Sequence, residues 1–418
     1  MREKQFTPIV IQHNDEFIDL VSTMSNWETF AWDTETKSVK DKTIVGFSVS
    51  KPPYRKGYYI ALGHDTDEPQ VSLKLFKKKI RGILEDPKTI QIGHNVKFDN
   101  MVMYLLDIFP CGHEDDLTYG CKIMHDTMVM SWIMNVGKVD DNGAPIGNGL
   151  KERCLEDIGF EMVNMRTLIA ETKKELGLRK NPTIDKIKIS KLGPYAAADA
   201  VGTGRLQEYL EEKLKKYPIL HRQYHNFEVR FSRVLNAMEI AGYRVNKRYL
   251  IESADKFKAM EEMARIDADR YASRNLDLFS SKDMTKFLFD EVGLPVIKVS
   301  KKTGAPSLDA KTLLLLDSRY GSMEKKYGTL IKVLPLTVKA RNYRKMKATY
   351  CDGVVRGLDE NNRVHTTFNR GGARTGRLSS SGPNLENLPN EESTPISIRQ
   401  GFIPDIGKLL NILDYSQL

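Results

Sequence analysis

The chain has 418 residues, 40% of them hydrophobic, and a formal net charge of +9 at pH 7. That length favours two or three domains, and the apolar content excludes a disordered chain. No apolar run reaches the ~20 residues that span a bilayer, and the N-terminus has no secretory signal, so a soluble cytoplasmic protein is expected.

The predicted elements run in chain order as follows. Residues 6–62 read as strands with short connections, including the compact apolar runs Phe30-Ala31-Trp32 and Ile44-Val45-Gly46-Phe47-Ser48-Val49. From about residue 72 helical and strand patterns alternate, which predicts an α/β domain. Asp140 to Gly149 is a turn-rich loop. From about residue 205 the pattern is helical, and 251–274 alternates charge with Ala and Met as a long exposed helix does. Residues 309–350 are helical, and 363–418 read as short strands and extended segments. The first domain boundary falls near residue 212. Cys111, Cys121, Cys154 and Cys351 lack CxxC spacing and read as reduced structural thiols.

The charge is unevenly divided. Residues 1–212 hold 28 Lys and Arg against 32 Asp and Glu, whereas residues 213–418 hold 36 against 23. The basic half suits a polyanionic partner, and the acidic half has carboxylates to spare for metal ions.

Asp33 and Glu35 lie two apart at the end of an apolar strand and therefore share a face. Adjacent carboxylates repel, which favours a divalent cation between them. Asp99 follows the apolar strand around Ile92 and opens a helix near Asn100, where a capping role is the plainer reading. Tyr195 and Asp199 are four apart on a helix, with only alanines between them. Taken singly, these are a polar loop, a cap and an Ala-rich helix. In this order and spacing they resemble the DEDD 3′→5′ exonucleases of the tyrosine subclass, over most of residues 25–212. His125-Asp126-Thr127 and Leu150-Lys151 match intermediate segments of that domain.

This resemblance implies an α/β ribonuclease H-like fold and a two-metal phosphodiester hydrolysis. Asp33, Glu35 and Asp199 would hold one cation. Asp33 would reach the second, with Asp99 acting through water, and Tyr195 would orient the attacking water. Mg²⁺, with Mn²⁺ as a substitute, suits these oxygen donors. The substrate would be a DNA 3′ end and the product a 5′-mononucleotide, with His94 or Phe98 stacking a terminal base.

The basic half has its own pattern. Arg341, Arg344 and Lys345 share a helical face, with Lys347 close by, and match the spacing of a phosphate backbone; standing alone, the segment reads as a solvated face. Arg374, Thr375, Arg377, Ser379, Ser380, Asn384 and Asn387 offer donors to phosphates and groove edges. The apolar run Leu409 to Leu413 reads as a strand that delivers Asp414 at its tip, with Tyr415 next.

These segments resemble the family A DNA polymerases, the polymerase I class and its phage relatives. Glu228, Glu239, Gly242, Ser280-Ser281-Lys282, Gly293-Leu294-Pro295 and Arg399 to Pro404 extend the match, while Glu386 stands where the family has Gln. The resemblance implies a mainly α thumb over 213–350 and the first part of an α+β palm over 351–418. The basic and polar residues would grip primer and template, and Asp414 with the Tyr415 carbonyl would hold metal ions.

The expectation is therefore the exonuclease and DNA-gripping portion of a replicative DNA polymerase. The sequence ends just past the first palm aspartate, so polymerisation is expected to need a second polypeptide, as in a split gene, or the chain is a truncated gene product. Two alternatives are a free-standing nuclease with a DNA clamp and a non-catalytic DNA-binding subunit.

Overall fold

A computed structural model describes residues 6–108, 123–139, 146–300, 303–371, 376–389, 395–413 and 415–416. The chain forms two compact units, one of residues 1–241 with 368–379, the other of residues 242–367 with 380–418.

The first unit is built on a six-stranded sheet of β1 (Thr7–Ile11), β2 (Thr29–Thr36), β3 (Ile44–Ser50), β4 (Lys56–Ala61), β5 (Ile90–Gly93) and β6 (Ile123–Asp126), in the order β1-β4-β3-β2-β5-β6. β3 is antiparallel to both β2 and β4, and the β1-β4, β2-β5 and β5-β6 pairs are parallel. The helices are α1 (Asn14–Met24), α2 (Leu73–Leu84), α3 (Val96–Leu105), α4 (Thr127–Asn135), α5 (Leu150–Ile158), α6 (Met165–Glu175) and α7 (Ile189–Lys215), followed by α8 (Pro218–Gln223), a π-helical turn at Tyr224–Glu228 and α9 (Val229–Ala241). This is the α/β domain that the alternating pattern predicts.

The two-residue period of β2 sorts its side chains between two cores. Phe30 and Trp32 join Phe17, Leu20, Phe76 and Ile80 of α1 and α2 on one face. Ala31 joins Met130, Cys154, Val201 and Leu206 of α4, α5 and α7 on the other. Helix α1 corrects the reading of 6–62 as strands alone. Phe17, Leu20 and Met24 recur at three- and four-residue steps and are all buried, and the Glu16 carboxylate accepts from the His13 backbone N–H at the helix start.

The boundary expected near residue 212 falls inside α7, and the compact unit continues to Ala241. Buried charges tie residues 368–370 into it. The Lys97 ammonium bonds both the Glu239 carboxylate and the Phe368 carbonyl, and Glu239 accepts from the Phe368 N–H at 2.7 Å. Arg370 pairs with Glu228 and lies 4.4 Å from the Phe231 ring centre. Glu228 and Glu239, matched to a thumb in the sequence, thus serve the first unit.

The second unit is mainly helical, with α10 (Lys247–Ala272), α11 (Ser281–Thr285), α12 (Ala310–Tyr320), α13 (Glu324–Tyr327), α14 (Val333–Lys345) and α15 (Asp352–Arg356). Helix α10 spans two cores: Ala264 and Ala268 pack with Phe287, Leu313 and Leu334, and Leu250 and Phe257 pack with Met346, Tyr350 and Val364. The strand expected over 409–413 is not formed. No described residue pairs with this run, and Leu409, Ile412 and Leu413 are 87, 92 and 93% exposed. Among the described residues no helix is long and apolar enough to cross a membrane. Cys154 and Cys351 are buried free thiols, and Cys111 and Cys121 lie outside the described residues.

Candidate active site

Asp33 and Glu35 leave β2 on the face that carries Ala31, toward α7, where Asp199 meets them. One carboxylate oxygen from each of the three lies within 4.8 Å of the others. Helix α7 approaches the sheet closely because its contact face is made of small residues. Ala196 and Ala197 are fully buried, and a Cβ on Gly57 of β4 would stand 2.5 Å from the Ala197 carbonyl. The alanines between Tyr195 and Asp199 are therefore helix-to-sheet contacts. Across from Glu35 on β3 is Gly46, where a Cβ would collide with the Tyr59 hydroxyl.

The electrostatics follow from burial. Glu35 and Asp199 are each 7% exposed. Burial first, then the Asp199 charge, pushes Glu35 up to about 8. Burial, followed by Asp99, Glu35 and Asp199, holds Asp33 well above the ordinary carboxylate range, and burial also raises Asp199. One cation opposes this crowding. Lys151, at the start of α5, places its Nζ 3.0 and 3.2 Å from the two Asp199 oxygens and 3.7 Å from the centre of the Tyr195 ring. Burial, followed by the charges of Asp199, Glu35 and Asp33, raises the Tyr195 phenol.

Asp99 is set apart from the converging three. It lies in the first turn of α3, which starts at Val96, not near Asn100. Its Oδ1 accepts from the Thr34 N–H at 2.9 Å and from the Thr34 hydroxyl at 2.6 Å, and burial lifts it to about 7. The cap reading does not apply to Asp99; the first N–H groups of the helix are met by Asp126. Its carboxylate accepts from Asn95 and Val96, and also from Met128 and Val129 of α4. Asn95 takes a left-handed conformation, φ 64°, to make that turn. Asp126 therefore positions Asp99 without joining the cluster. His94 is engaged with the Thr127 hydroxyl at 2.8 Å, and burial lowers it to about 4. Phe98 packs against the first core.

The donor set fits hard divalent cations: oxygen-only ligands, crowded and short of compensating charge. The contacts of Lys151 with Asp199 and of Thr34 with Asp99 are not evident from the sequence motifs alone. The signal for Thr34 was its spacing between the two carboxylates, on the opposite strand face.

The polar residues of the basic half fall into paired and exposed groups. Arg341 donates to the Leu278 and Leu308 carbonyls at 2.8 and 3.0 Å, so it braces the second unit instead of standing free on its surface. Arg344 pairs with Glu261 at 2.7 Å and stacks on Phe279. Lys347 pairs with Asp352 at 2.5 Å, and Lys345 is exposed beside Tyr350. Ser380 is buried, and its hydroxyl accepts from the Leu385 and Glu386 N–H groups at 3.0 Å. Asn384 accepts from the Asn387 N–H. These two residues shape the turn. Arg377, Asn387 and Tyr415 are exposed, and Ser379 is half-buried. Arg374, Thr375 and Asp414 lie outside the described residues.

Comparison with known sequences gives two matches. Residues 8–215 match the 3′-5′ exonuclease family, and residues 247–418 match DNA polymerase family A. DNA polymerase I of Pseudomonas aeruginosa is 28% identical over 397 residues, which is 94% of this chain and 40% of that protein. DNA polymerase I of Synechocystis is 30% identical over 396 residues, 93% of this chain and 36% of that protein. The chain thus spans about two-fifths of the length of these curated family A relatives. The polymerase domain of Pol1 from M. smegmatis, solved in complex with DNA primer-template and dNTP, has the same fold: TM-score 0.67 at 20% identity, covering 94% of this chain and 58% of that one.

Proposed function

We propose that the first unit is a proofreading 3′→5′ exonuclease, removing nucleotides one at a time from a DNA 3′ end, and that the second unit helps to grip primer and template. The observation that carries this reading is the convergence of Asp33, Glu35 and Asp199, with the Lys151 ammonium between Asp199 and the Tyr195 ring. Asp33, Glu35 and Asp199 would hold divalent cations, Mg²⁺ by the hardness of their oxygens, with Asp99 supporting them from the Thr34 side. Bound there, two such ions supply the positive charge and water activation of an in-line displacement at phosphorus.

The chain's own residues do the rest. The Tyr195 hydroxyl, one helical turn before Asp199, would orient a water against the terminal phosphodiester. Lys151 offsets the charge of Asp199 and carries a cation to the site edge, where a scissile phosphate enters. Exposed Lys345 and Asn387 of the second unit and exposed Arg377 of the first are assigned to phosphate contact, joined by Arg344 and Lys347 through exchange of their Glu261 and Asp352 partners. Arg374 and Thr375 are assigned to the same strand, and Asp414 with Tyr415 to a nucleotidyl-transfer centre.

The test is a 5′-labelled DNA strand with Mg²⁺. A ladder of shortening products with release of 5′-mononucleotides supports the proposal. Endonucleolytic cutting, or no cleavage by a chain that binds DNA, refutes it.

A further inference from the structure

A second group of ligating side chains stands apart from the carboxylate site. Glu211 lies near the end of α7, after which the chain turns back through α8 and the π-helical turn. That reversal sets two imidazoles against its carboxylate. His221 Nε2 is 2.8 Å from Glu211 Oε1, and His225 Nε2 is 3.2 Å from both carboxylate oxygens. His221 and His225 are four apart on continuous helix and therefore share a face, with ring centres 4.4 Å apart. One ligand atom from each of the three residues lies within 4.8 Å of the others.

We propose that Glu211, His221 and His225 form a binding site for a divalent transition metal of the zinc class, which pins the end of α7 to the helix that follows it. Two imidazole nitrogens and one carboxylate oxygen are a zinc donor set that leaves a fourth position for water. Nitrogen donors select Zn²⁺, Co²⁺ or Ni²⁺ over Mg²⁺, so this site and the oxygen-only cluster take different ions. The side chains are 18–32% exposed, which gives the ion a way in.

Two further observations agree with this assignment. The site contains a single π-helical turn, a local distortion that recurs at functional positions. The third imidazole nearby, His125, meets His225 edge-on with ring centres 5.5 Å apart. His125 stacks on Tyr224, whose hydroxyl accepts from the Asp126 N–H at 3.1 Å. The ion would thereby also brace the residue that positions α3.

The test is zinc stoichiometry by equilibrium dialysis of the full chain, in an Asp33→Asn/Glu35→Gln/Asp199→Asn background that silences the other cluster. One equivalent of Zn²⁺ is expected there, lost on adding His221→Gln/His225→Gln and weakened at least tenfold by Glu211→Gln, with unchanged circular dichroism. The Co²⁺-loaded background chain should show imidazole N–H resonances shifted by the paramagnetic ion, a readout that needs no His variant. Absence of a retained equivalent, or its persistence without both histidines, would overturn the proposal.

Discussion

The Lys151 ammonium lies 3.0 Å from Asp199 Oδ1, the one cation bonded to a cluster of buried carboxylates among the described residues. Its charge lowers the proton affinity of Asp33, Glu35 and Asp199. Lys151→Met removes that effect, so protons compete with metal ions up to higher pH. The acid limb of the nuclease pH profile is expected to move upward. A limb that stays in place would show that Lys151 is electrostatically idle.

Without divalent cations the cluster makes stability depend on pH. Glu35 is lifted from 4.5 to about 8, so the folded chain binds this proton more tightly than the unfolded chain. Its contribution is fully present below pH 4.5 and is lost as pH rises to about 8. Melting curves in a chelator should therefore fall across that window, less steeply for Asp33→Asn/Glu35→Gln. Mg²⁺ should raise the melting temperature more at pH 8 than at pH 5.

Gly57 sets how near α7 comes to the sheet. A Cβ there meets the Ala197 carbonyl at 2.5 Å and Val201 at 3.0 Å. Gly57→Ala is expected to shift Tyr195 and Asp199 and to lower nuclease turnover by about a hundredfold, as an ångström of misplacement does. Gly82→Ala is the control. It has nothing within 4 Å, lies inside α2, and should stabilise by about 0.5–1 kcal/mol.

Lys97 and Glu239 form a buried ion pair, with side chains 8 and 6% exposed. Lys97→Met leaves the Glu239 carboxylate uncompensated and is expected to cost about 3–5 kcal/mol. Adding Glu239→Gln removes the stranded charge and keeps an acceptor for the Phe368 N–H. The double variant should be more stable than Lys97→Met in urea unfolding.

Strand and helix periods fixed which side chains share a face, and the resemblance to 3′→5′ exonucleases joined the separate pieces into one candidate site. The two-residue step from Asp33 to Glu35 and the four-residue step from Tyr195 to Asp199 each specify a face. What the local pattern could not show depends on distant partners. Arg341 looked like a phosphate ligand, yet its donors go to carbonyls 33 and 63 residues away. Glu228 and Glu239 looked like thumb residues, and their partners Arg370 and Lys97 place them with the sheet. Helix α1 was hidden between strand-like runs because only three of its residues are buried. The run Leu409 to Leu413 has strand composition, but no described strand pairs with it.

The most direct test of the central claim is the Mg²⁺-dependent release of 5′-mononucleotides from a single-stranded DNA 3′ end by the chain and by Asp33→Asn and Asp199→Asn. Cation charge is worth several kcal/mol to the transition state, so each substitution should slow release by about a thousandfold or more. Equal rates in the variants and the parent chain would place the chemistry elsewhere and contradict the assignment.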